Sequence, residues 1–143
     1  MNKIIPLFFL PISSTIFAAC PSHTKTLFQC TTHENYSLEL CDTGLTIDYA
    51  FGLQNQPPQL ALSVARHYAK TKQWKGISAN EISSVSIANG DTIYRVFSRL
   101  NQSSLKTSPK NVSGVEVERY GKRLHTFYCD ENAPIINQLK GIK

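Results

Sequence analysis

Apolar residues recur at every second position through much of this chain, and polar clusters at close spacing break the alternation. The clearest run is Leu45, Ile47, Tyr49 and Phe51, alternating with Thr46, Asp48 and Ala50, which predicts a strand with one face toward a core. Residues 26–32 (T-L-F-Q-C-T-T) and 36–41 predict two more strands around a His33-Glu34-Asn35 turn. Asp42-Thr43-Gly44 is the next break. The stretch 52–58 (G-L-Q-N-Q-P-P) reads as a loop, since paired prolines fix φ and remove ladder donors. Further on, 83–88 and 92–100 flank Asn89-Gly90, a dipeptide suited to a tight hairpin tip. That tip pairs Ile87 with Thr92 and Val85 with Tyr94, so Val85, Ile87, Tyr94 and Val96 share one face. Ile93, Arg95, Phe97 and Arg99 form the other.

A second hairpin is predicted over 114–129, with Tyr120-Gly121 at its tip and Gly121 supplying the positive φ that the turn needs. Its register pairs Val117 with Leu124 and Val115 with Thr126 on one face, and Glu118 with Arg123 and Glu116 with His125 on the other. His125, Phe127 and Cys129 then lie opposite Val117, so a β-bulge is expected in the second strand before the cysteine docks.

Between these elements, 59–75 fits two templates. Leu60, Leu62 and Val64 alternate as in a strand, while Leu60, Val64 and Tyr68 fit a helical stripe; the neighbouring strands favour a strand through Arg66, then irregular chain to Trp74. Trp74 is expected to anchor the edge of the core. The stretch 101–113 is polar and Ser-rich, contains Pro109, and reads as a loop and candidate binding edge. After Cys129, Asp130-Glu131-Asn132 predicts a short C-terminal helix whose Ile135, Ile136 and Leu139 cover one end of the fold. The class that follows is all-β, a small antiparallel β-barrel or sandwich.

The start of the chain changes this picture by placing the fold outside the cytoplasm. Met1-Asn2-Lys3 is a short basic head, 4–17 is largely apolar and uncharged, and Ala18-Ala19 are small, which reads as a signal peptide over 1–19 ahead of a single exported domain over 20–143. Pro6 and Pro11 interrupt a run already short for a membrane span. Export makes the four cysteines, Cys20, Cys30, Cys41 and Cys129, disulfide candidates rather than metal ligands, since neither a C-x-x-C pair nor a spaced His pair accompanies them. Three connectivities exist. A Cys30–Cys129 bridge ties the first strand to the last and leaves Cys20 with Cys41; a Cys30–Cys41 bridge is the main rival. Phe17-Ala18-Ala19-Cys20 also resembles the bacterial lipobox, with Phe where Leu is usual, so a lipid anchor on Cys20 stands as the less favoured alternative.

Charge points weakly toward anionic partners. The formal charge is +5, and loss of Lys3 with the leader leaves 14 − 10 = +4. Within it, Arg95, Phe97 and Arg99 make a basic and aromatic stripe, and Lys106 in the following loop extends it; these four are the candidate binding residues. The favoured reading of the stripe from sequence is a second sheet face with arginines extended at its rim. No phosphate-cradling Gly loop, cofactor motif or nucleic-acid-binding signature stands out. His23, His33, His67 and His125 are dispersed, and a pairing of His125 with Ser98 or Thr126 as nucleophile is a combination that any chain of this length offers.

F-Q-C (28–30), L-C-D-T-G (40–44), W-K-G (74–76), N-G-D-T-I-Y-R-V-F (89–97), G-V-E-V (114–117) and G-K-R-L with the closing Cys129 resemble a family of small exported bacterial proteins of unknown function. The F-x-C opening and final cysteine are also similar to membrane-bound C-type lysozyme inhibitors, a resemblance that implies a small disulfide-tied β-barrel. That group's inhibitory pattern is absent here, and a basic inhibitor is electrostatically mismatched to a basic lysozyme. The expectation is a periplasmic or secreted binding protein, an inhibitor or immunity-type blocker of an effector enzyme in the cell envelope. A small secreted hydrolase is the alternative.

Overall fold

A computed structural model describes residues 20–75, 80–101 and 110–142, so the leader and Lys106 lie outside the described residues. The expected class is observed: two antiparallel sheets of five strands each face one another as a sandwich, and they do not close into a barrel. The first contains β1 (Lys25–Thr31), β2 (Tyr36–Asp42), β3 (Thr46–Leu53), β4 (Leu60–Ala65) and β10 (Ile136–Asn137), in the order β10-β1-β2-β3-β4. The second contains β5 (Lys70–Lys75), β6 (Asn80–Asn89), β7 (Thr92–Asn101), β8 (Lys110–Arg119) and β9 (Lys122–Tyr128), paired in chain order.

Between the sheets, Phe28, Leu38, Leu40, Ile47 and Tyr49 meet Val85, Ile87, Val96 and Val115, all buried. Aromatic contacts lock the layers together. Phe51 lies 4.8 Å from both Tyr36 and Phe127, and Tyr49 lies 5.3 Å from Tyr94, measured between ring centroids. Two disulfides join Cys20 to Cys41 and Cys30 to Cys129. Beside the second, His33 N–H donates to Tyr128 O at 3.0 Å and Asp130 N–H to Thr31 O at 2.8 Å, so covalent and backbone bonds close the same junction.

Several expectations are corrected. The first hairpin tip is Gly90-Asp91, because Asn89 pairs with Thr92 and only Gly90 takes a positive φ (62°). Ile87 therefore opposes Tyr94 and Val85 opposes Val96. The slide is two residues, so every side chain keeps its face. In the second hairpin, Tyr120 and Gly121 both have positive φ, 51° and 75°, as a two-residue primed turn requires. Glu118 pairs with Arg123 as expected, but the register then shifts, with Leu124 as the extra residue, and Val117 meets His125 while Glu116 meets Thr126. The bulge thus comes at once after the turn and returns His125, Phe127 and Cys129 to the core face.

Other corrections have local causes. Leu45 is 85% exposed because Thr43 N–H closes a turn onto Thr46 O at 3.0 Å and holds Leu45 outside the pleat. After β4 a single 3-10 turn (Arg66–Tyr68) leads into β5, so the stretch read as irregular is a strand; Trp74 pairs with Ile82 in its register. Residues 110–113, assigned to a loop, belong to β8. The C-terminal helix is absent. Pro134 has no N–H for Asp130 O, and that carbonyl instead accepts from Ala133 N–H at 3.2 Å in a turn, after which Ile136–Asn137 pairs with β1. Leu139 is buried as expected, whereas Ile135 and Ile136 are 37% and 41% exposed.

Candidate functional site

The outward face of the β5–β9 sheet carries the expected stripe. Register places Lys70, Ser86, Arg95, Glu116 and Thr126 in one row across the strands, and Lys72, Ser84, Phe97, Gly114 and Tyr128 in the next. Ile82, Arg99 and Val112 follow in a third. These rows border an open groove of about 550 Å³, with Lys70 and Lys72 on one bank and Phe97 and Arg99 within it.

Phe97 is only 5% exposed although it faces away from the core. Its neighbour in the row is Gly114. The Tyr128 ring approaches edge-on at 6.2 Å, and the Arg99 guanidinium lies over the Phe97 ring at 5.7 Å. Gly114 is required because a Cβ there would meet Phe127 O at 2.0 Å.

The cations on this face are not equivalent. Arg95 Nη1 lies 3.2 Å from Glu116 Oε2 and 3.3 Å from Glu118 Oε2, and Arg123 Nη2 lies 3.3 Å from Glu116 Oε1. Those two arginines and two glutamates nearly balance. Among the described residues, Lys70, Lys72 and Arg99 have no carboxylate within ion-pair distance, so three cations without such partners line the groove. Of the expected binding residues, the structure joins Arg95, Phe97 and Arg99 on one surface but commits Arg95 to internal pairing. Lys70 and Lys72 were missed because 70–75 was not read as a strand. The period-two placement of lysine in K-T-K-Q-W-K was the available signal.

Other titratable groups pair elsewhere in the fold. His33 Nε2 pairs with Glu131 Oε2 at 3.2 Å, His125 Nε2 lies 3.6 Å from Glu34 Oε1, and the His125 ring packs on Phe127 at 4.3 Å. His125 and Ser98 oppose Val117 and Ser113 on β8, four residues apart and hence roughly 13 Å along the strand. Thr126 faces the other side of the sheet. The nucleophile–base pairings considered from sequence are therefore not assembled. Burial would raise the pKa of Asp42, but its hydrogen bond to Arg66, the Gly44 N–H and the nearby Arg66 and Lys25 charges together bring it below the usual carboxylate range. Burial pushes the Glu39 carboxyl up; Glu39 is 5% exposed and its Oε2 has no hydrogen-bond partner. Its Oε1 lies 3.5 Å from Cys41 Sγ, a disulfide sulfur with no proton to donate.

A separate concavity of about 460 Å³ opens between the sheets at one end, with Ile47 and Val85 among its lining residues and Leu45 and His67 beside them. Among the described residues no helix is long and apolar enough to cross a membrane. Comparisons of the chain with models of known protein families, with curated proteins and with solved structures find no match.

Proposed function

We propose that this is an exported binding protein that holds an acidic protein partner against the outward face of the β5–β9 sheet, and that it acts as an inhibitor or immunity-type blocker of an effector enzyme in the periplasm or outside the cell. The observation that carries this reading is the groove in which Lys70, Lys72 and Arg99 lack carboxylate partners around the sheltered Phe97 ring. An anionic surface would supply the missing counter-charges, and the Arg99 stem, held over the buried Phe97 ring, would supply apolar contact. Two disulfides suit an oxidising compartment, and the Cys30–Cys129 bridge ties one sheet to the other, so docking would begin from a preformed surface.

The test is capture from envelope extract followed by assay of the captured enzyme. Arg99→Glu and Lys72→Glu are expected to abolish both capture and inhibition, while Arg95→Ala has a smaller effect because Arg95 is already shared with Glu116 and Glu118. Capture unchanged by the two reversals would remove the basic-face reading. Turnover by the protein itself that is lost in His125→Ala would favour a hydrolase instead.

A further inference from the structure

We propose, resting on that reading of the face, that the acidic partner docks by adding an extended segment as a new strand on the free edge of β5. Among the described residues this strand ends its sheet, and β6 is its one ladder partner, from Lys70 opposite Ser86 to Lys75 opposite Glu81. Half of its backbone N–H and C=O groups therefore point away from the sheet. Lys70, Thr71, Lys72 and Gln73 are all exposed. Thr71 lines both the outward groove and the concavity between the sheets, so the edge is reachable from either side.

The remaining edges are built differently. β10 has two residues, β9 is kinked at Leu124, and β4 (L-A-L-S-V-A) carries no charge. On β5, Lys70 and Lys72 share the outward face roughly 7 Å apart, the separation of residues i and i+2 on an added strand. A partner segment with carboxylates at alternate positions would place them beside both lysines, while its backbone continues the ladder. Edge lysines repel basic segments, including β5 of a second copy, and so select acidic ones.

The oxidised full-length protein would be titrated with a labelled octapeptide in which glutamate alternates with threonine. Two further versions are N-methylated at one or the other set of alternate amides, and an isomer carries its glutamates in a block. Strand addition predicts that one methylation set weakens binding about tenfold or more, by removing ladder donors, while the other set is tolerated. It also predicts that Lys72→Glu weakens binding at least tenfold, and that amide exchange slows within 70–75 on saturation. Equal effects of the two methylation sets, equal affinity for the block isomer, preference for a heparin fragment without slowed exchange in β5, or no peptide binding would each overturn strand addition. Partner capture that is lost in Arg99→Glu but not competed by the peptide leaves the basic face standing and removes the strand mode. Peptide binding alongside capture that ignores both charge reversals removes the face reading.

Discussion

Loss of the Cys30–Cys129 bridge should destabilise this protein more than loss of Cys20–Cys41, and the difference follows from where each closes the chain. The first joins residues 99 apart and the second residues 21 apart. Loop-closure entropy gives about 4.7 kcal/mol for the longer loop and about 3.3 kcal/mol for the shorter, a difference of about 1.4 kcal/mol. Cys30 and Cys129 are also 3% and 6% exposed, so replacing both by alanine adds about 1 kcal/mol for the space left in the core. The native junction has other ties, the His33–Tyr128 and Asp130–Thr31 backbone bonds, which survive the substitution. Most of the loss therefore arises in the unfolded chain, which gains freedom. Urea unfolding of the wild type, Cys30→Ala/Cys129→Ala and Cys20→Ala/Cys41→Ala under oxidising conditions measures this directly. The first pair should lose about 5–6 kcal/mol and show the larger rise in m-value, since its unfolded chain expands more. A loss below about 2 kcal/mol, or a larger loss from the Cys20–Cys41 pair, would refute the reasoning.

Three other outcomes follow from local geometry. Gly114→Ala should cost about 3 kcal/mol or more in urea unfolding, because the new Cβ meets the backbone of Phe127 rather than a side chain that can move; a change within about 0.5 kcal/mol would show that β9 shifts freely. Glu39→Gln should stabilise the protein at neutral pH. The folded carboxyl titrates above its ordinary value of 4.5, so the native state binds more protons than the unfolded chain and the wild type loses stability as pH rises from that value through the folded pKa; a urea midpoint whose pH dependence is the same in the variant would count against a buried, unpaired carboxylate. Binding through the basic face should weaken steeply between low and physiological salt, since the groove cations are exposed to screening, and salt-insensitive affinity would point to an apolar dock instead.

Alternation and turn chemistry in the sequence indicated an all-β class, most of the strands and the shared face of Val85, Ile87, Tyr94 and Val96, while the choice among three disulfide connectivities, and of sandwich over barrel, came from the tertiary structure. The former are local properties: a period of two assigns faces within a strand, and turn glycines mark where strands reverse. What they leave open is register, because a slide of two residues satisfies the same pattern, and the Gly90-Asp91 tip was settled by pairing along the whole of β6 and β7. The position of the Leu124 bulge was likewise fixed by distant contacts, since Phe127 must reach Phe51 and Cys129 must reach Cys30. Arg95, Phe97 and Arg99 could be named from sequence, but their unequal roles could not: Glu116 and Glu118 neutralise Arg95 only once β7 and β8 lie side by side. The lysines of β5 come together in the same way, as ordinary surface charges along the chain that become the bank of a groove when the sheet forms. The physical reason is that sequence patterns report each strand's preference between two faces, while edges, neighbours and unpaired charges exist only after long-range pairing has chosen which strand lies beside which.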